Sequence, residues 1–356
     1  MTTVEPVEIL TSPSRSRAAA ASGPLASATS GPRTYPDAPD EGAPHVLTLR
    51  SSAWELDVVP SSGAALSAGR VRTADGVWRD LLRPTRRTAL GDPERCASFP
   101  MIPWSNRVRD GVLRFGGRSW QLQRNAADGT AIHGAVCQAT WEIDDLGPSH
   151  VSLVHDSGAW VGSNFPWRFR ARITYAVDGP TMAVTTTVEN ADREPFPAGF
   201  GHHPYLRRAL LPVQAPVAEY PLSAGPLLEV PARAGYRLHR ALPDGPAGRV
   251  PARADFRMPR LLGSAFVDDV LTDLEPGRPV RVTYPEDGVV VEIQPDETFS
   301  HLVIYAPRKR CYFAVEPVTN VNDGFALHEA GVPGTGVFVL EPGEQRTGTF
   351  TVTTRT

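Results

Sequence analysis

The sequence predicts an all-β protein built as a large antiparallel β-sandwich. From Val46 onward, short runs of β-branched and aromatic residues alternate with clusters of Gly, Pro and Asp, which is typical of antiparallel sheets. No segment longer than about ten residues keeps helical apolar spacing without a Pro or Gly break. Because strands do not alternate with helices, a doubly wound parallel sheet with a dinucleotide site is not expected. The absence of a fixed repeat argues against a propeller or solenoid.

The first 44 residues are predicted to form a disordered, low-complexity tail. Residues 12–44 are rich in Ser, Ala, Pro, Gly and Thr, and they contain no periodic apolar pattern that could bury one face. Residues 45–356 are predicted to form a single β-sandwich domain, since sandwiches often exceed about 200 residues as one unit.

Hairpins are the clearest local signals in the domain. Residues 170–189 contain two alternating runs that flank Asp178-Gly179-Pro180, where glycine supplies the positive φ that such a turn requires. Two further hairpins and two single strands are predicted from the same texture: Val280–Tyr284 with 289–293, 336–340 with 345–353 across a turn at 341–343, 301–305, and 311–315.

Composition limits the cellular location and the partners. The chain is 41% hydrophobic and 21% charged, and no apolar run approaches the roughly 20 residues that span a bilayer. The N-terminus has neither a basic segment nor an apolar segment typical of a signal peptide, so a cytoplasmic location is expected. The net charge is −3 and Lys309 is the sole lysine, so nucleic acid is not an expected partner. A monomer or weak homodimer is expected.

Three cysteines, Cys96, Cys137 and Cys311, lie far apart in the sequence. They form no CxxC pair of the kind that binds metal or carries out redox chemistry. They are therefore predicted to be buried or tolerated thiols, and no metal site or disulfide scaffold is expected.

Two segments place polar side chains beside turn residues in the first half of the domain. Residues 103–107 end in Asn106-Arg107, and an arginine in such a turn is either a solvated loop charge or a planar donor for two neighbouring hydroxyl groups. His133 precedes Gly134 and is either a hydrogen-bonded structural residue or a ligand-binding one.

The second half of the domain contains three more candidate segments. His202 and His203 are adjacent, so on a strand they point in opposite directions and at most one belongs to a site. Asp268-Asp269 interrupts an apolar stretch and is either a solvated turn or a binding group. Glu316 ends an apolar strand just before Pro317, and because carboxylates are rarely buried without a role, it is the best general-base candidate.

In this order, these segments resemble the aldose 1-epimerase (galactose mutarotase) family, in particular its bacterial epimerase-like branch. The resemblance extends from about Pro44 to the C-terminus. The matching elements are Asn106-Arg107, His133-Gly134, His203-Pro204-Tyr205, Val267-Asp268-Asp269, Glu316-Pro317 and the closing run at 340–344. The resemblance implies a galactose mutarotase-like supersandwich fold. It also implies an enzyme that interconverts the α and β anomers of a free sugar without a cofactor or metal.

The resemblance also implies roles for single residues. Glu316 is assigned as the general base on the anomeric hydroxyl and His203 as the general acid toward the ring oxygen, with Glu316 ionised and His203 protonated at the start. Arg107, His133, Asp268 and Asn106 are assigned to substrate binding. Asp269 lies next to Asp268, so the choice between these two carboxylates stays open.

Other functions remain as alternatives. The strongest is a non-catalytic carbohydrate-binding module, or a family member repurposed for another carbohydrate-like substrate. A glycoside hydrolase would use two carboxylates, for which Asp268 and Glu316 are available. A metal-dependent jelly roll is disfavoured because the adjacent pair His202-His203 lacks the usual ligand spacing. Many relatives carry an aromatic residue soon after the His-Gly step, whereas this chain has Ala135-Val136-Cys137, so the sugar is not identified.

Overall fold

The computed structural model describes residues 44–213 and 225–356. The predicted tail therefore lies outside the described residues, except for Pro44. The strands up to residue 200 are β1 (Leu47–Arg50), β2 (Trp54–Val59), β3 (Ala65–Arg72), β4 (Trp78–Leu82), β5 (Pro100–Met101), β6 (Arg107–Val108), β7 (Val112–Phe115), β8 (Arg118–Gln121), β9 (Ala131–Ile132), β10 (Glu142–Leu146), β11 (His150–Asp156), β12 (Phe169–Asp178), β13 (Thr181–Asn190) and β14 (Phe196–Ala198).

The remaining strands continue to the end of the domain. They are β15 (Gly201–His202), β16 (Tyr205–Pro212), β17 (Leu227–Glu229), β18 (Ala232–Gly235), β19 (Leu238–His239), β20 (Leu242–Pro243), β21 (Arg260–Leu261), β22 (Val267–Leu274), β23 (Val280–Tyr284), β24 (Val289–Pro295), β25 (His301–Ala306), β26 (Tyr312–Val318), β27 (Phe338–Leu340) and β28 (Gln345–Arg355). One helix, α1 (Gly324–Glu329), and short 3-10 turns complete the described secondary structure. No helix in these ranges is long and apolar enough to span a membrane.

Two large sheets dominate the molecule, and the prediction of an all-β antiparallel sandwich is confirmed. The first sheet has the order β1-β2-β3-β4-β16-β26-β25-β22-β18, with β15 joining β26 and β5 joining β15. The second has the order β10-β11-β12-β13-β28-β24-β23-β17-β21. Their strands pair antiparallel.

The two sheets pack face to face because their strands alternate buried and more exposed residues. β12 and β13 follow this alternation over ten residues each, as period-2 burial on one face requires. Hydrogen bonds also connect the sheets: the Tyr175 hydroxyl donates to the Ala64 carbonyl at 2.9 Å, and the Trp54 indole donates to the Pro180 carbonyl at 2.8 Å. These contacts satisfy polar groups that the apolar core would otherwise leave unpaired.

The first sheet is buried on both faces at its centre. β26 is buried from Phe313 onward, although a strand with one solvated face would alternate. Phe313 and Val315 pack into the core between the sheets, whereas Ala314 belongs to a second apolar cluster that includes Phe99 and Met101. Residues before β6 therefore cover the outer face of the sheet, and a polar side chain on that face is buried.

Two of the three predicted hairpins are confirmed. β12 and β13 pair from Asp178 and Thr181 outward, across the two-residue turn Gly179-Pro180. β23 and β24 pair from Tyr284 and Val289 outward. The single strands predicted at 301–305 and 311–315 correspond to β25 and β26.

The third predicted hairpin is wrong. β27 pairs with β14, whereas β28 lies between β13 and β24 in the second sheet. The turn at 341–343 is held by Asn190, whose backbone N–H donates to the Glu344 carbonyl and whose side-chain amide donates to the Leu340 carbonyl. A Pro-Gly turn predicts a change of chain direction but not which strand pairs with the residues after it. In place of the predicted single partner at 336–340, β28 pairs with both β13 and β24.

Cys96 and Cys137 are buried free thiols, and Cys311 is a partly exposed one. Burial raises the pKa of Cys96, and it raises the pKa of Cys137 to about 11. Both buried thiols therefore stay protonated near neutral pH.

Candidate active site

The centre of the first sheet brings the candidate catalytic residues to its outer face. Glu316 lies opposite Val303 on the neighbouring strand, and both share a face with Ala314. His203 lies between β15 and β16, two residues before Tyr205, which pairs with Ala314. The strand register therefore places His203 beside Glu316.

His203 and Glu316 are in direct contact. The His203 Nε2 atom lies 3.1 Å from Glu316 Oε1, and the two side chains are only 8% and 2% exposed. Within the described residues, His203 Nδ1 and Glu316 Oε2 have no hydrogen-bond partner. Buried polar atoms are nearly always paired, so these two atoms are available to a polar ligand.

Aromatic contacts fix the orientation of His203. Phe99 stacks on its ring at 5.0 Å between centroids, and His133 meets it edge-on at 5.6 Å. Tyr205 packs against it at 4.3 Å. The imidazole therefore has little rotational freedom.

His202 points the other way, into the sandwich. Its Nε2 atom lies 2.7 Å from the Thr186 hydroxyl, and its ring contacts Tyr175 and Phe350. Adjacent residues on a strand alternate faces, so only His203 reaches the site.

The turn at Asn106-Arg107 lies beside His133. β6 pairs with β9, and the His133 backbone N–H donates to the Asn106 carbonyl at 3.0 Å. Arg107 donates through Nη1 to the Asn106 side chain at 3.0 Å and through Nε to Asp128 at 2.9 Å. Asn106 and His133 both adopt positive φ, at 57° and 65°, a conformation that non-glycine residues rarely adopt and that costs energy. The surrounding structure holds them there.

Gly134 makes this arrangement possible. Its φ is 80°, and a Cβ atom at this position would overlap the backbone carbonyl of Ile102. The neighbouring Ala135 N–H donates to that same carbonyl at 2.7 Å. Only glycine therefore allows the His133 segment to lie against the 102–107 segment.

The two adjacent aspartates lie on opposite faces of β22. Asp269 is fully buried and receives two hydrogen bonds from Arg253, at 2.6 and 2.8 Å. Asp268 pairs with Tyr305 on the outer face and is partly exposed, and its charge acts on Glu316. The structure brings Asp268, not Asp269, to the candidate site.

Burial shifts the pKa values of the catalytic candidates in opposite directions. It raises the pKa of Glu316 well above its ordinary value; Asp268 adds to the rise and Arg107 opposes it. Burial also lowers the pKa of His203 well below its ordinary value, and His133 and Arg83 lower it further. The pKa of His133 falls to about 3 through burial and the charge of Arg107, so His133 is neutral.

The shifted pKa values of Glu316 and His203 change the charge state that is expected for the two side chains. The resemblance implies an ionised Glu316 beside a protonated His203, but burial disfavours both charged forms. Their contact at 3.1 Å favours the ion pair, whereas burial favours a protonated Glu316 with a neutral His203. The ion pair and the neutral pair contain the same number of protons. They differ only in whether the shared proton is on His203 or on Glu316.

Several aromatic residues of the site were missed in the sequence. Tyr305 meets His203 edge-on at 6.1 Å, and Phe266 meets Tyr305 at 6.4 Å. Tyr312 contacts Tyr205 at 5.2 Å. A signal was present, since Tyr205 follows His203 by two residues and must share its face of the sheet.

A cavity of about 1050 Å³ opens elsewhere, where β18 and β22 approach β23 and β24, and its lining contains neither His203 nor Glu316. Within the described ranges, no three His, Cys, Asp or Glu side chains are grouped so that they could hold a metal ion.

Comparisons with known proteins identify the family and the fold of the chain. The family model described as aldose 1-epimerase matches residues 45–353. The uncharacterised protein YphB of Escherichia coli (strain K12) is 25% identical over 332 residues, which cover 85% of this chain and 96% of YphB.

Solved structures share the fold at low identity. A galactose mutarotase-like protein from Clostridium acetobutylicum superposes with a TM-score of 0.71 at 16% identity, covering 88% of this chain and 99% of that one. The GalM/aldose epimerase homologue from C. elegans gives a TM-score of 0.71 at 17% identity, with the same coverage of 88% and 99%. These likenesses show the predicted galactose mutarotase-like fold. The family match over most of its length shows that this chain belongs to the aldose 1-epimerase family.

Proposed function

We propose that the protein is an aldose 1-epimerase, or mutarotase, that interconverts the α and β anomers of a free sugar by acid-base ring opening and reclosure. The observation that carries the proposal is the buried contact between His203 and Glu316, each with one unpaired polar atom. Groups with strongly shifted pKa values are concentrated at functional sites, and buried polar atoms without a partner are rare elsewhere.

The reaction needs two proton transfers. Glu316 removes the proton from the anomeric hydroxyl while His203 delivers a proton to the ring oxygen, the bond between C1 and the ring oxygen breaks, and C1 becomes an aldehyde. Rotation about the C1–C2 bond then presents the other face of the aldehyde. Reversal of both transfers closes the opposite anomer.

The proton count of the pair supports this role. Ring opening converts an ionised Glu316 and a protonated His203 into a protonated Glu316 and a neutral His203, and ring closure restores the first state. The two forms that burial and mutual attraction favour are therefore the two ends of the catalytic cycle. The pair exchanges no net proton with solvent during the cycle.

Four neighbouring residues are proposed to hold the sugar. Arg107 and Asn106 supply donors and an acceptor on one side of the pair, His133 lies edge-on to His203, and Asp268 supplies a carboxylate on the same sheet face as Glu316. Charge-assisted hydrogen bonds from such groups orient ring hydroxyls.

The test is a polarimetric or NMR screen of freshly dissolved aldoses. Anomer exchange should be faster with the protein than with the Glu316→Gln variant, and dialysis against a chelator should leave the rate unchanged. Binding without faster exchange would instead indicate a sugar-binding protein, and a rate that returns only with a divalent ion would contradict the mechanism. Cleavage of an aryl glycoside would indicate a hydrolase.

A further inference from the structure

Arg83 lies at one end of the candidate site and has no role in the proposed reaction. Its backbone N–H donates to the Tyr205 carbonyl at 2.7 Å, which fixes it beside β16. The centre of its guanidinium group lies 3.7 Å from the Tyr205 ring centroid and 4.6 Å from that of Tyr312. Its Nη2 atom donates to the carbonyls of Glu94 and Cys96, at 3.1 and 2.6 Å.

The charge of Arg83 has no counter-ion in the described part of the chain. Arg107 is paired with Asp128 and Arg253 with Asp269, whereas Arg83 contacts only rings and backbone carbonyls there. Its Nε atom is buried and has no hydrogen-bond partner among those residues. A partly buried cation without a carboxylate is costly even when aromatic rings face it, so an anionic ligand would compensate it.

Arg83 lies on the His203 side of the catalytic pair. Tyr205, which carries Arg83 on its ring, packs against His203 at 4.3 Å. The charge of Arg83 acts on His203, whereas the charges of Arg107 and Asp268 act on Glu316. Arg83 therefore meets the catalytic pair through the Tyr205 ring, whereas Arg107 meets it through Asn106 and His133.

The proposed reaction says which part of the sugar lies at each end. Glu316 addresses the anomeric oxygen on C1, and His203 addresses the ring oxygen. C5 is bonded to the ring oxygen on the side away from C1, so the substituent on C5 extends beyond His203, toward Tyr205 and Arg83.

Three basic residues are exposed close to Tyr312, whose ring faces Arg83, and one acid, Glu94, is exposed on the neighbouring segment that Arg83 contacts. Arg308, Lys309 and Arg310 form the exposed connection between β25 and β26, two residues before Tyr312. Exposed positive charge beside a site raises the encounter rate with anions.

We infer that this site is selective for aldoses whose C5 substituent carries an oxyanion, a phosphate or a carboxylate, and that Arg83 recognises that group. The inference rests on the proposed function, because the mechanism orients the sugar. It names a substrate class that the catalytic pair alone does not specify.

The experiment compares matched neutral and anionic sugars. The kcat/KM for anomer exchange is measured by NMR for glucose, glucose 6-phosphate and glucuronate, with the uncatalysed rate of each sugar subtracted. The parent protein should prefer one of the anionic sugars by at least about ten-fold, and the preferred one identifies the oxyanion. Added salt should weaken the reaction of the anionic sugar and leave glucose unaffected.

Variants then test Arg83 itself. Loss of the Arg83 charge raises the pKa of His203 and moves the acid limit of the reaction, so the sugars are compared at neutral pH, on the plateau of the profile. There, Arg83→Gln should lower kcat/KM for the anionic sugar by about ten- to a hundred-fold more than for glucose. Arg83→Lys should retain part of the preference because it keeps the charge. Arg87→Gln is the matched control, since Arg87 is an exposed arginine on the same segment, and it should leave both rates unchanged.

Equal rates for neutral and anionic sugars in the parent would overturn the inference, and so would an equal loss on both sugars in Arg83→Gln, which would make Arg83 a support for Tyr205 only. If Arg83→Gln does not fold, the sugar preference and the salt dependence of the parent decide. If no sugar exchanges faster, the proposed function fails, and calorimetric binding of glucose 6-phosphate against glucose still tests the anion site.

Discussion

His203 Nε2 lies 3.1 Å from Glu316 Oε1, and both side chains are buried on the covered outer face of the first sheet. The strand register produces the contact, since β16 and β26 are neighbours and His203 lies two residues before their Tyr205 and Ala314 pair. An acid and a base held this close exchange a proton without moving.

Removing either partner should abolish anomer exchange while sugar binding largely survives. Glu316→Gln keeps the shape but cannot accept a proton, and His203→Asn removes the acid, so each should lower kcat by about 10²- to 10⁴-fold. Because the two groups act in one exchange, the double variant should cost little more than the worse single one. NMR exchange rates and calorimetric binding measure the two effects. A Glu316→Gln rate above about a tenth of the parent rate would mean that another group is the base.

The pH profile should be flat at neutral pH and fall at both ends. The pair is active while it holds one proton; burial raises the pKa of Glu316, which sets the alkaline limit, and lowers the pKa of His203, which sets the acid limit. The charge of Asp268 adds to the raised pKa of Glu316, so Asp268→Asn should lower that pKa and move the alkaline limit to lower pH. Asp145→Asn, at an exposed position of the other sheet, is the control. An alkaline limit that moves upward or stays fixed in Asp268→Asn would contradict this assignment.

Arg107→Ala should weaken binding more than turnover. Arg107 is proposed to donate hydrogen bonds to ring hydroxyls, and losing a charged hydrogen bond costs about 1.5–3 kcal/mol. KM or Kd should rise by about ten- to a hundred-fold with a smaller change in kcat. Arg118→Ala removes an exposed arginine elsewhere and should have no effect. A large loss of kcat at unchanged KM would instead give Arg107 a role in the transition state.

Gly134→Ala should destabilise the protein more than Gly129→Ala. Both glycines have a φ near 80°, so both variants carry the same conformational cost of about 1–2 kcal/mol. Only at Gly134 does the new Cβ meet the Ile102 carbonyl, whereas nothing lies within 4 Å of Gly129. Urea unfolding compares the two variants, and exchange rates show whether His133 has moved. Equal losses of stability would mean that the close approach to Ile102 is easily relieved.

A chain that begins at Pro44 should fold and turn over as the full chain does. Residues 1–43 are rich in small and polar residues, whose burial cannot offset the entropy of ordering them. Thermal unfolding and kcat/KM of the two chains should agree. A lower melting temperature of the shortened chain would show that these residues pack on the sandwich.

Much of the local structure could be predicted because it follows from short-range patterns. The strands around Gly179-Pro180 alternate so regularly that only their exact ends differ from the prediction. Strand partners are different, because a turn such as 341–343 determines direction while pairing depends on residues far away in sequence.

The site was predicted in part for a similar reason. Glu316, His203, Arg107 and His133 each carry chemistry that the sequence displays, and the structure brings them together. Whether Asp268 or Asp269 reaches the site depends on which of them lies on the outer face of β22. A shift of the strand register by one residue would exchange their positions. Arg83 could not be recognised in the sequence as a residue near the site, because the chain contains many arginines. Its position depends on the pairing of β4 with β16, which are distant in sequence.

The position of β28 has a consequence for the order of folding. It separates β13 from β24, so among the described strands the two halves of the second sheet are joined by backbone hydrogen bonds only through β28. During synthesis, both halves must wait with unpaired edges until residues 345–355 arrive, and unpaired edges invite association with other chains. Pairings between residues so distant in sequence also slow folding. Completion of the second sheet is therefore expected late in folding.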